Sequence, residues 1–152
     1  MIKQIRLFAL LWGAALSTAQ AQLAELPVQW SWEIEELPEG ETALVFTATI
    51  QSGWYLYSQH IEEGGPIPTA VVFEPSAGVE LIGTTEESGD KLEGMDAVFG
   101  MHVAKFKGEA QFRQRLKLAP GQHVLSGYVE FMTCDDEMCL PPTQWEFSLV
   151  LR

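Results

Sequence analysis

Three features of this 152-residue chain predict an all-β, antiparallel sandwich. Several segments alternate apolar and polar residues with period two, and glycine and proline clusters punctuate them at short intervals. Past residue 21, no stretch shows the apolar recurrence of an amphipathic helix.

The chain begins with Lys3 and Arg6, continues with an almost wholly apolar run over residues 7–16, and reaches Ala19-Gln20-Ala21, small residues of the kind a signal peptidase reads. Residues 1–21 are expected to be a secretory signal peptide cleaved after Ala21. Its apolar run of about ten residues is well short of the roughly twenty that a spanning helix needs, so no stable membrane insertion is expected. Residues 22–152 then form one exported domain large enough for a proper core. Residues 29–36 set Trp30, Trp32 and Ile34 on one side, Leu37-Pro38-Glu39-Gly40-Glu41 supplies a turn, and residues 42–51 complete a hairpin. Residues 53–57 read as a short aromatic strand. Gly64-Gly65-Pro66-Ile67-Pro68 cannot continue it, because proline lacks the amide donor. Residues 69–74 and 79–84 read as strands about Pro75-Ser76-Ala77-Gly78, residues 86–93 as a polar connection, and residues 103–106 as the sheet resumed. Ala110, Phe112, Leu116 and Leu118 then oppose Gln111, Arg113, Arg115 and Lys117, with only Gln114 out of place. After Pro120-Gly121, alternation returns through His123, Leu125, Gly127, Val129 and Phe131, and again through Trp145, Phe147, Leu149 and Leu151. Eight or nine short strands of this kind argue for two packed antiparallel sheets of immunoglobulin-like type.

The formal charge is −12, and residues 1–21 contribute two of the nine basic residues and none of the 21 acidic ones. The exported part is therefore more acidic still, which excludes nucleic acid and anionic lipid surfaces as expected partners. A hydrolase finds no support, since neither a nucleophile-elbow pattern nor a close His-carboxylate pair is visible.

Any redox chemistry belongs to Cys134 and Cys139, the only two cysteines. Ends this close can meet within disulfide range, and in an oxidising compartment an even count implies a disulfide. Residues 127–133 and 143–151 read as strands, which puts the pair at the mouth of a hairpin. A loop this short stabilises by only about 2 kcal/mol in the chain-entropy model, so the bond is either a modest staple or a redox-active pair. No metal is expected: His60, His102 and His123 are scattered, and C-x-x-x-x-C lacks a second ligand pair. No cofactor is expected either.

The resemblance rests on four motifs: Gly53-Trp54-Tyr55-Leu56-Tyr57-Ser58-Gln59, Gly64-Gly65-Pro66-Ile67-Pro68-Thr69, Asp96-Ala97-Val98-Phe99-Gly100, and residues 128–142 around the cysteines. Over nearly all of its exported length the chain resembles the N-terminal periplasmic domain of the thiol:disulfide interchange protein DsbD. The resemblance implies an immunoglobulin-like sandwich in the periplasm. Its cysteine pair would take electrons from a membrane-embedded thiol reductant and pass them to thioredoxin-like periplasmic proteins. The alternative from another class is a secreted binding module whose disulfide is only structural.

By the same resemblance Cys139 is the attacking residue and Cys134 resolves the mixed disulfide. The segment from Asp96 to Gly100 is a cap that shields the sulfurs with a ring. Val98 best matches the ring's position, with Phe99 beside it. Tyr55 and Tyr57 match aromatic positions near the site. Asp135, Asp136 and Glu137 lie between the cysteines, where carboxylates disfavour a further negative charge and make the reduced pair a reluctant nucleophile. Pro141-Pro142 removes two donors and sets an extended exit.

Overall fold

In the computed structural model, which describes residues 26–152, nine strands form among those residues. They are β1 (Val28–Glu36), β2 (Glu41–Ile50), β3 (Tyr55–Tyr57), β4 (Ala70–Phe73), β5 (Val79–Met95), β6 (His102–Leu118), β7 (His123–Phe131), β8 (Thr133–Cys134) and β9 (Thr143–Leu151), with a single 3-10 turn at Pro38–Gly40. The expected signal peptide lies outside the described residues. Among these residues no helix is long and apolar enough to cross a membrane.

β6 is the spine of a six-stranded sheet ordered β1-β2-β6-β3-β8, with β5 paired to β6 as well. On one side, β6 pairs first with β3 at Lys105 and Phe106 and then with β2 from Glu109 to Lys117. β4, β7 and β9 make a second, three-stranded sheet, and every strand pairing in both sheets is antiparallel. The two sheets bury the faces that alternation marked. Leu44, Phe46 and Ala48 of β2 and Phe112 and Leu116 of β6 share one cluster with Leu125 and Val129 of β7 and Phe147 and Leu149 of β9. Each large side chain so buried contributes about 1.5–3 kcal/mol. Trp30 joins this core, its ring 5.4 Å from Phe131 and 5.7 Å from Phe112. Trp32 and Ile34, expected beside it, are exposed. The six-stranded sheet is wider than its partner and leaves the far end of its edge strand uncovered.

Gln114, the one break in the alternation of β6, is buried. It sits where the register of β5 shifts between Ile82 and Glu86. Its amide nitrogen donates to the carbonyls of Ile82 (3.1 Å) and Arg115 (2.9 Å), and its oxygen accepts from Thr85 (2.9 Å). A polar side chain thus satisfies the groups that the bulge unpairs.

Two expectations are corrected here. Residues 86–93 are not a connection, because β5 runs unbroken in sequence to Met95 and pairs with β6, which is itself one strand across residues 103–106 and 110–118. The side chains of this part of β5 serve ionic anchors and not an apolar face, so it has no periodicity to read. The Glu87 carboxylate accepts from the Ser58 hydroxyl (2.6 Å) and the Gln59 amide (2.8 Å), and it pairs with Lys91 (2.9 Å). Burial pushes the Glu87 carboxyl up, but these donors outweigh it and hold the group below its ordinary value. The second correction concerns the hairpin. β7 and β9 do pair directly, from His123 opposite Leu151 to Phe131 opposite Thr143. Between them, however, the chain leaves that sheet, and β8 pairs with β3 of the other.

Candidate functional site

Cys134 and Cys139 are joined by a disulfide, with Cα atoms 4.0 Å apart. They oppose each other as an antiparallel bridge, a pairing in which Cα atoms sit at about 4.5 Å. Backbone bonds flank the pair: Leu140 donates to Thr133 and Asp135 to Met138, each at 2.9 Å. Between the cysteines, the Asp135 carboxylate accepts from the amides of Glu137 (2.8 Å) and Met138 (2.7 Å), an Asx turn that closes the loop from within. Those two amides hold its carboxyl below the usual carboxylate range. Asp135 is therefore a turn former, while Asp136 and Glu137 project into solvent.

The two sulfurs occupy different environments. Cys134 is 1% exposed, whereas Cys139 is only half-buried. The register explains why. Tyr55 lies opposite Cys134 and Tyr57 opposite Lys105, so these four share one face of the six-stranded sheet, while Leu56, Thr133 and Phe106 point the other way. Leu56 and Phe106 belong to the sandwich core; Tyr57, Val103 and Cys134 form a second, smaller cluster. The disulfide therefore sits on the outer face of the sheet, beneath its own roof. Ile61, Phe99, Met101, Met132 and Cys139 pack against that cluster.

The roof has two parts. One is the tip of the β5–β6 hairpin, residues 96–101. There Asp96 Oδ1 accepts from the amides of Val98 (2.9 Å) and Phe99 (3.2 Å), and the Gly100 amide donates to the Asp96 carbonyl at 2.8 Å. Gly100 adopts φ of 65°, a left-handed conformation that glycine accepts without strain. This turn directs Phe99 inward, edge-on to Tyr57 with centroids 5.9 Å apart, and leaves Val98 43% exposed. Val98 matched the family's ring position, yet in this chain the ring over the cluster is that of Phe99. The other part is the β3–β4 connection, where Gly65 lies so close to Met101 that a Cβ would sit 2.6 Å from its sulfur. The Ile67 amide donates to Met132 Sδ at 3.5 Å.

A polar network underlies the cap. The Tyr57 hydroxyl, fully buried, donates to Asp96 Oδ2 at 3.1 Å, and Lys105 Nζ donates to the same oxygen at 2.9 Å. Burial and the neighbouring Asp96 carboxylate push the Tyr57 hydroxyl well up. Burial also pushes Asp96 up, but the donors Lys105, Phe99 and Val98 and the charge of Lys105 outweigh it, and the carboxyl lies below its ordinary value. Lys105 Nζ also stands 4.2 Å from the centroid of half-buried Tyr55.

The structure thus places Tyr55, Tyr57 and Phe99 around Cys134, Asp96 behind them on the Tyr57 hydroxyl, Asp135 in the turn between the cysteines, and Val98, Asp136 and Glu137 on the surface. Sequence reasoning missed Lys105, Val103, Met101, Met132 and Ile61. Lys105 carried one available signal, a cation at the same parity as Val103 in a strand, though Lys107 shares it. His60 and His102, remote in sequence, line one shallow pocket of about 230 Å³ with Glu62 and Glu93. Even so, among the described residues no group of three such side chains is placed to hold a metal ion.

Residues 21–151 match the family model for the N-terminal part of the thiol:disulfide interchange protein DsbD. No curated protein matches the sequence. The DsbD N-terminal domain of Neisseria meningitidis, solved in the reduced form, aligns with a TM-score of 0.51 at 20% identity, covering 79% of this chain and 83% of that one. The N-terminal periplasmic domain of ScsB from Proteus mirabilis aligns at 0.58 and 18% identity, over 80% of this chain and 45% of that one. Both share the fold described above. A complex of the DsbD and PilB N-terminal domains from Neisseria meningitidis aligns at 0.43 and 17% identity, over 78% and 80% of the respective chains.

Proposed function

This chain belongs to the family of DsbD N-terminal domains, and on that premise we propose that it is a periplasmic electron carrier working by thiol:disulfide exchange through Cys134 and Cys139. The observation that carries the reading is the asymmetry of the pair: Cys134 is sealed at 1% exposure, while Cys139 is half-buried beside the cap. Only one sulfur need be reachable for exchange. A thiolate of a membrane-embedded reductant attacks Cys139 Sγ, the Cys134 sulfur leaves with the bonding electrons and takes a proton, and a mixed disulfide joins the two proteins. The reductant's second thiol then displaces Cys139, leaving a dithiol here and a disulfide on the donor. In the forward transfer, Cys139 attacks the disulfide of a thioredoxin-like acceptor and Cys134 resolves the intermediate. Two electrons and two protons move in each half.

Export by a signal peptide over residues 1–21 brings the domain of residues 22–152 to that compartment. The cap's Phe99, held by Asp96 and Tyr57, slows access by adventitious oxidants, and a docking partner displaces it. Asp136 and Glu137 at the surface favour a partner whose reactive cysteine has a basic or neutral rim.

A purely structural staple is the competing reading. The loop it would hold is already closed by two backbone bonds and by the Asp135 carboxylate, which leaves a staple little to add. The reduction potential of the pair tests the choice. A carrier's lies above about −300 mV, and a value below that returns the disulfide to a structural role.

A further inference from the structure

Building on the reading of residues 96–101 as a cap, we propose that Lys105 is a positioning residue that locks the cap shut through Asp96. Asp96 is 2% exposed, and a carboxylate so buried persists as an anion only with compensation. Its four donors are the amides of Val98 and Phe99 on Oδ1 and the Tyr57 hydroxyl and Lys105 Nζ on Oδ2. Of these only Lys105 brings a charge. The titratable groups bound to Asp96 are Tyr57 from β3 and Lys105 from β6, and both cysteines are held in the disulfide. Neighbouring cations are engaged elsewhere, Lys91 with Glu87 and Lys107 with Asp90.

The chain of action is short. Lys105 is fixed by its place opposite Tyr57 and by the face of the Tyr55 ring, and its side chain is 19% exposed. Its charge keeps Asp96 an anion, and an anionic oxygen binds amides about twice as strongly as a neutral one. The two amides so bound set the turn that lays Phe99 edge-on to Tyr57. Without the ammonium, Asp96 takes up a proton at a higher pH, the amide bonds weaken, and Phe99 lifts from the disulfide.

The test uses the oxidised protein and a neutral phosphine, tris(hydroxypropyl)phosphine. The phosphine attacks Cys139 Sγ and water completes the step, giving two thiols and the phosphine oxide. Because the disulfide itself does not titrate, the ratio of variant to wild-type rates at each pH cancels the phosphine's own protonation. Lys105→Met should be reduced several-fold faster than wild type, with the ratio rising as pH falls from 8 to 5. Lys105→Arg should restore the wild-type rate and its flat ratio. Lys105→Gln, which keeps a donor without the charge, should follow Lys105→Met and serves if the latter fails to fold. Lys105→Met combined with Asp96→Asn should be no faster than Asp96→Asn alone, since Lys105 acts through that carboxylate. A ratio of one at every pH, with Phe99→Ala accelerating reduction, overturns the role of Lys105 and leaves the cap standing. Failure of Phe99→Ala to accelerate it overturns both.

Discussion

The Tyr57 hydroxyl donates to Asp96 Oδ2 at 3.1 Å across 39 positions of sequence, tying β3 to the tip of the β5–β6 hairpin. Because burial and the carboxylate both push the tyrosine up, its proton stays in place and the direction of this bond is fixed. What can change is the ionisation of Asp96.

Asp96→Asn is expected to cost about 1.5–3 kcal/mol at neutral pH, the range for losing hydrogen bonds to a charged group. The folded carboxyl lies below its unfolded value of about 3.9. Its contribution is therefore fully present above the unfolded value and disappears as pH falls through the folded one. Melts of wild type and Asp96→Asn should show a constant gap from neutral pH down to about pH 5, closing below about pH 4. A gap that closes between neutrality and about pH 6 would contradict the ion pair with Lys105.

Cys134→Ala combined with Cys139→Ala should keep a cooperative melt and lower it by only a few degrees, since a loop this short stabilises by about 2 kcal/mol. The turn retains its backbone bonds and the Asx contacts of Asp135. Removing the Cys134 sulfur also leaves a small void among Tyr57 and Val103, which adds to the shift. Reversible thermal denaturation followed by near-UV dichroism decides this; loss of the folded state would make the disulfide a staple.

The strands legible in the sequence were those whose two faces meet different media. β6 past Ala110, β7 and β9 alternate because one side meets the core and the other solvent, and there the reading and the structure agree. β5 was illegible beyond Thr84 because its side chains serve ionic contacts such as Glu87 with Ser58 and Lys91, which have no period. The disulfide was legible from the two cysteines, and motif likeness pointed to Tyr55, which lies opposite Cys134, and to Tyr57 and Asp96, which bond to each other. Which residue of the cap turns inward was not, because Val98 and Phe99 are adjacent apolar residues. The choice depends on amide bonds to Asp96 and on the left-handed turn at Gly100. Nor could spacing reveal that β8 changes sheets and so carries Cys134 to the outer face.

Cys139 is half-buried, while Cys134 is 1% exposed and lies opposite Tyr55. On the proposed mechanism this difference decides which sulfur a partner thiolate reaches. In Cys134→Ala, the surviving Cys139 can form a mixed disulfide with a thioredoxin-like partner, and the thiol that would release it is gone. The intermediate should therefore accumulate. In Cys139→Ala the surviving sulfur is sealed, so trapping should fall by an order of magnitude or so, as expected where access limits the attack. Both variants are to be compared as purified proteins against a thioredoxin-fold probe whose second C-x-x-C cysteine is replaced by serine and whose first is held as the mixed disulfide with thionitrobenzoate, so that thionitrobenzoate leaves and no probe thiol can release the complex, with alkylation at harvest and non-reducing gels as the readout. Adding Phe99→Ala to Cys139→Ala separates burial by the cap from burial by the sheet: recovered trapping would assign the protection of Cys134 to the cap, and unchanged trapping would assign it to Tyr55 and Val103 below. Equal trapping by the two single variants would refute the division of roles, because exposure would then not govern which sulfur reacts.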